Sequence, residues 1–103
     1  MTYQIEFILE AAQDYKSLDG SIKRKVDKKL DNLSKNPFLG EHLGNKFGID
    51  LTGFYKLYVD NKKIRIVYRL LAEEIEIIEV WGIGKRDKED IYRLIGHRLK
   101  KKQ

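Results

Sequence analysis

Lys56, Arg65, Arg86 and Tyr92 are the residues whose types suit one chemistry, the handling of a phosphate. A guanidinium donates in a planar fork that matches phosphate oxygens, and an ammonium supplies a compact positive charge. Aimed at a phosphorane-like transition state, such groups stabilise the negative charge that develops there. The rings of Tyr58, Tyr92 and Trp81 offer faces on which unpaired bases can stack. Competing chemistries lack their residues. With no cysteine, neither a disulfide framework nor a Cys-based zinc site can form. His42 and His97 are the two histidines, and no metal site is expected from them. There is no Ser-His-Asp or Cys-His arrangement and no Gly-Lys-Ser/Thr phosphate loop. No cofactor is expected.

The elements must bring these residues together. "YKLYVDNKKIRIVYR", residues 55–69, reads as a β-hairpin around the turn Asp60, Asn61, Lys62, Lys63. Side chains alternate along a strand, so Tyr55, Leu57 and Val59 share one face with Ile64, Ile66, Tyr68 and Leu70. That face, Tyr68 included, is expected in the core. The other face carries Lys56, Tyr58, Arg65, Val67 and Arg69. Like charges that close are unfavourable unless an anion or carboxylate answers them, and Glu79 on the next strand is a candidate. Arg86 lies in Gly84-Lys85-Arg86-Asp87, just before a last helix whose N-terminus also favours anions. Trp81 is expected in the core or as a lid over it.

The remaining order follows from periodicity. Residues 3–9 alternate Tyr3, Ile5, Phe7 and Leu9 against polar neighbours and predict a strand. Residues 10–18 predict a short helix ended by Asp19-Gly20. Ser21 is a candidate N-cap for a second helix, whose Ile22, Val26, Leu30 and Leu33 form one apolar stripe ended by Asn36-Pro37. Residues 37–53 are Gly-rich without a clear period and predict a loop. "AEE", 72–74, turns into a strand over 75–83, and Asp87 can cap a helix over 88–99. The expectation is one α+β domain, β-α-α-β-β-β-α, with an antiparallel sheet core, helices packed on one face and the polar face partly open. It spans residues 1–103, with a basic tail from Arg98 to Gln103 that is expected to be solvated.

With 21 Lys plus Arg against 16 Asp plus Glu, the net charge of +5 favours an anionic partner, nucleic acid or an acidic protein. Residues 1–6 show no basic region leading into an apolar run, so no secretory leader is expected. No apolar stretch approaches the roughly 20 residues of a membrane-spanning helix, and no membrane partner is expected. The cysteine-free composition suits a reducing, cytoplasmic setting.

Between Gly53 and Tyr92 the motifs "GFYKLYV", "IRIVYR" and "VWGIGKRDKEDIY", after an early helix ending in "LSKNP", resemble the RelE/ParE superfamily of type II toxins. The likeness covers nearly the whole chain, and it implies the RelE-like fold. It also implies a toxin with a cognate antitoxin partner and, for RelE-like members, a metal-independent endoribonuclease acting on mRNA in the ribosomal A site. Lys56, Arg65, Arg86 and Tyr92 match that pattern. The implied reaction is attack of a ribose 2′-hydroxyl on the adjacent phosphate, leaving a cyclic phosphate. Lys56 is the implied base if the cluster lowers its pKa. Arg86 would stabilise the phosphorane, Arg65 would bind the phosphate and help the 5′-oxygen leave, and Tyr92 would stack on a base. Where the RelE pattern has a second strand lysine, this chain has Tyr58. Lys62, Lys63 or His97 could compensate for it, and Lys85 and Tyr58 complete the implied RNA contacts. Two alternatives share the fold: a ParE-like toxin that inhibits DNA gyrase, and a non-toxic member that only binds an antitoxin.

Overall fold

The computed structural model describes residues 3–46, 48–72, 76–85 and 90–102. Its elements are β1 Gln4–Phe7, α1 Leu9–Lys16, α2 Gly20–Lys35, β2 Glu41–His42, β3 Asn45–Lys46, β4 Ile49–Asp50, β5 Phe54–Val59, β6 Ile64–Ala72, β7 Glu76–Lys85 and α3 Asp90–Lys101. The main sheet has the order β1-β7-β6-β5-β2, and β3 and β4 form a separate small ladder.

The α+β class and the order of the principal elements are as the periodicity predicts. Two details differ. The sheet is mixed, because β1 runs parallel to β7, with Gln4 opposite Ile77 and Phe7 opposite Val80. And the helices take both faces. The stripe Val26, Leu30 and Leu33 packs with Leu57, Ile66, Tyr68, Ile78 and Val80 beneath α1 and α2. Ile91, Tyr92 and Ile95 of α3 pack instead with Phe54, Val67 and Trp81 on the opposite face. A register shift between Val67 and Tyr68 accommodates this second core: Val67 faces Gly82 and Tyr68 faces Val80, so Trp81 is the extra residue of a bulge. Gly82 then lies directly under α3. A Cβ there would sit 2.6 Å from the Ile95 Cδ1.

Local chemistry explains the shifted boundaries. α2 is capped by Asp19, not Ser21. The Asp19 carboxylate accepts the Ile22 N–H at 3.0 Å, while the Ser21 hydroxyl donates to the same oxygen. β1 ends at Phe7, and Leu9, expected on its core face, opens α1 and is 70% exposed. The stretch read as a loop contains β2, which pairs with β5, and it is anchored by Leu43 and Leu51, both fully buried in the second core. Arg98 is not in a solvated tail: α3 runs on to Lys101, and Arg98 is buried. The last two turns, residues 73–75 and the Asp87 cap, lie outside the described residues.

A buried ion pair joins the helices of the two faces. β1 pairs with β7 only as far as Val80. Beyond it the Asp14 carboxylate of α1 accepts the Ile83 N–H at 3.2 Å and both Arg98 guanidinium nitrogens at 2.8 and 3.0 Å. Arg98 also donates to the Trp81 carbonyl at 2.8 Å. This bidentate pair fixes α3 across the sheet edge.

Candidate functional site

The β5–β6 register places Tyr58 directly opposite Arg65 and Lys56 opposite Val67. Lys56 and Arg65 are therefore diagonal neighbours on the second face, with Tyr58 between them. The Arg65 guanidinium is stacked between two rings, 4.8 Å from the centroid of Tyr92 and 5.9 Å from that of Tyr58. Both Arg65 and Tyr92 are only 7% exposed. The Lys56 ammonium lies 5.1 Å from the Tyr58 centroid and donates to its hydroxyl at 3.1 Å. The period-two pattern thus brings Lys56, Tyr58 and Arg65 together, and α3 closes Tyr92 over them.

The carboxylate that answers these charges is not Glu79. Its Oε1 accepts from Arg69 at 2.7 Å and from the Trp81 indole at 2.6 Å. Glu41 on β2 takes that place: it is the register partner of Lys56, with its carboxylate 3.8 Å from the ammonium. Nothing in the sequence marks Glu41, because a two-residue strand has no period to read.

Burial alone pulls the Lys56 pKa down, but the Tyr58 hydrogen bond and the charges of Tyr92, Tyr58 and Glu41 outweigh it, and the pKa is raised. Lys56 is accordingly a protonated cation at neutral pH. The lowered pKa that a base role requires is not present in the free chain.

The other candidates are more dispersed. Lys62 and Lys63 are exposed in the hairpin turn, where Asp60, Asn61 and Lys62 all have positive φ. Lys85 is exposed at the end of β7, beside Ile64. His97 is exposed on α3, five residues and so about 140° of rotation from Tyr92, which turns it away from the cluster. Arg86 lies outside the described residues. Among the described residues no group of three His, Cys, Asp or Glu could hold a metal ion. Among them, too, no helix is long and apolar enough to cross a membrane.

The family model of the ParE toxin of the type II toxin–antitoxin system, parDE, matches residues 5–90. A protein of Escherichia coli described as a RelE-like toxin is 30% identical over 100 residues, covering 97% of this chain and all of the relative. The chain belongs to the RelE/ParE superfamily of toxins. Its RelE-like character extends further. The mRNA interferase toxin RelE of Escherichia coli K12 is 24% identical over 92 residues, covering 89% of this chain and 92% of the relative. Among solved structures, a double arginine-to-alanine variant of E. coli RelE in the free state matches with a TM-score of 0.76 at 21% identity, over 96% of this chain and 99% of that one. The intact E. coli RelBE toxin–antitoxin complex matches with a TM-score of 0.64 at 23% identity, over 84% of this chain and 99% of the matched one. These structural matches carry the RelE fold. The chain is a RelE-like toxin of a type II toxin–antitoxin system.

Proposed function

We propose that this toxin is an endoribonuclease that cleaves mRNA, with the ribosomal A site holding the RNA in line. The observation that carries the reading is the cation cluster on one sheet face: Lys56 diagonal to Arg65, with Arg65 stacked between Tyr58 and Tyr92. Similarity to the mRNA interferase RelE supports it.

In the proposed reaction the 2′-oxygen forms a bond to the adjacent phosphorus and loses its proton to solvent. The bond from phosphorus to the 5′-oxygen breaks, and a cyclic phosphate remains. The raised pKa of Lys56 suits a cation that binds the phosphate and hands a proton to the leaving 5′-oxygen, in place of the base role. Arg65 supplies positive charge from beneath the rings and orients them. Arg86 stabilises the phosphorane, and Tyr92, buried against Arg65, holds that guanidinium in place. Alignment of the RNA by the ribosome would carry much of the rate. A cognate antitoxin is the proposed partner, as in the RelBE complexes of relatives.

The family model names ParE, and inhibition of DNA gyrase is the second reading. One experiment separates them. Wild type and Arg86→Ala are induced in a host without antitoxin, and growth, reporter mRNA 5′ ends and plasmid supercoiling are followed together. New in-frame cuts with wild type alone support the nuclease. Arrest with intact mRNA and lost supercoiling refutes it in favour of gyrase. Absence of toxicity from the wild type points to an antitoxin-binding member in which Tyr58 marks a disabled site.

A further inference from the structure

A groove of about 420 Å³ lies between α2 and the β5–β6 turn, lined by Lys25, Lys28, Lys29, Asn32, Val59, Asp60 and Asn61. It is on the α2 side of the hairpin, the face opposite Lys56 and Arg65. Lys25, Lys28, Lys29 and Asn32 fall on one flank of α2, beside the buried stripe Val26, Leu30 and Leu33. Asp60 pairs with Lys25 at 2.5 Å, which leaves two charges in the groove: among the described residues Lys28 and Lys29 meet no carboxylate. Asn32 and Asn61 add neutral amide donors.

We propose that this groove binds the phosphate backbone of RNA, as a second contact outside the cleaving face. The proposal deepens the nuclease reading and rests on it for the identity of the polyanion. Its lining separates RNA from an acidic peptide. A helical peptide needs an apolar groove for its anchors, and here Val59 is the single apolar lining residue and is itself buried. Solvated phosphates need cations and amide donors and no apolar floor. The groove also lies one hairpin tip away from the site. Exposed Lys62 and Lys63 cap the hairpin tip, and Val59 is three residues from Lys56, about 10 Å along β5. One strand of RNA can pass around the tip from groove to cluster.

The test is fluorescence anisotropy of the full chain with a short single-stranded RNA, 2′-O-methylated so that it cannot be cut, across a salt series. The variant Lys28→Ala/Lys29→Ala is compared with wild type and with Lys23→Ala/Lys35→Ala, which removes the same charge outside the groove. Two lost phosphate contacts should make the log–log salt slope shallower by about 1.4, with the control nearer wild type. Equal slopes for both double variants would reduce the groove to general positive charge and overturn the proposal. So would polyglutamate or inorganic tripolyphosphate binding in a Lys28- and Lys29-dependent way while the RNA does not. Because the oligonucleotide is uncleavable, a wild type that binds with the groove effect yet never cuts mRNA would sink the nuclease and keep the groove.

Discussion

Replacing Asp14 by alanine should be among the most damaging single changes outside the apolar core. The substitution removes the two carboxylate oxygens that accept from the Arg98 guanidinium, one of which also accepts the Ile83 N–H. The Arg98 side chain is 8% exposed and that of Asp14 19%. Breaking a buried ion pair from one side costs about 3–5 kcal/mol, because a charge is left desolvated and uncompensated. Arg98 keeps the Trp81 carbonyl, and Asp14 is not fully dry, so the low end, about 3 kcal/mol, applies. With an m-value of about 1.5 kcal/mol/M, the urea midpoint should fall by about 2 M. The double variant Asp14→Ala/Arg98→Met removes the stranded charge as well. It should therefore be less destabilised than the two single changes summed, by about 2 kcal/mol. Fluorescence of Trp81, whose carbonyl holds Arg98, is a suitable probe. A midpoint shift under about 0.5 M, or strictly additive single changes, would refute the claim that this pair fixes α3 to the sheet.

Three further outcomes are expected. Tyr68→Phe should destabilise by about 2 kcal/mol in chemical denaturation, since the buried hydroxyl donates to the Pro37 carbonyl and accepts the Gly40 N–H. Burial also pushes the Tyr68 phenol up to about 12, so its contribution is full below the unfolded value near 10 and is lost as pH rises through 12; the Phe variant should lose less stability across that window. Gly40→Ala should lower the thermal midpoint, because a Cβ would sit 2.7 Å from the Lys56 carbonyl and 2.5 Å from the Tyr68 hydroxyl. For the proposed mRNA cleavage, the pH profile should stay flat with respect to Lys56 from pH 6 to 9, since its raised pKa keeps it protonated there; a rise abolished by Lys56→Met would restore the base role.

Where the chain has a clear period, its structure is legible. Alternation in residues 55–69 places Lys56, Tyr58 and Arg65 on one face, and the ladder confirms that placement residue by residue. The stripe of α2 is equally direct. Legibility fails where pairing is short or remote. Glu41–His42 is two residues long, so neither its pairing with β5 nor the carboxylate it brings to Lys56 leaves a pattern. Asp14 and Arg98 are 84 residues apart and read locally as surface charges. The second core was signalled weakly, by Val67 standing among basic residues and by Trp81, but a solvated sheet face also tolerates such residues singly. The direction of the Lys56 pKa depends on a balance of burial against hydrogen bonding that spacing does not encode.

The parallel pairing of β1 with β7 sets an order of events in time. The partner of the first strand is among the last segments to be synthesised, since Gln4 waits for Ile77. At about 5–20 residues per second, that wait is roughly 4–15 s. Until then β7, the strand that joins β1 to the rest of the sheet, is missing, and α1 and α2 have only part of their floor. α3, which lays Tyr92 over Arg65, comes later still. Contacts this distant in sequence slow folding. The cation cluster thus takes its stacked form only after nearly the whole chain has been made, so a toxin synthesised only to the end of β6 carries its strand cations without the arrangement that makes them a site.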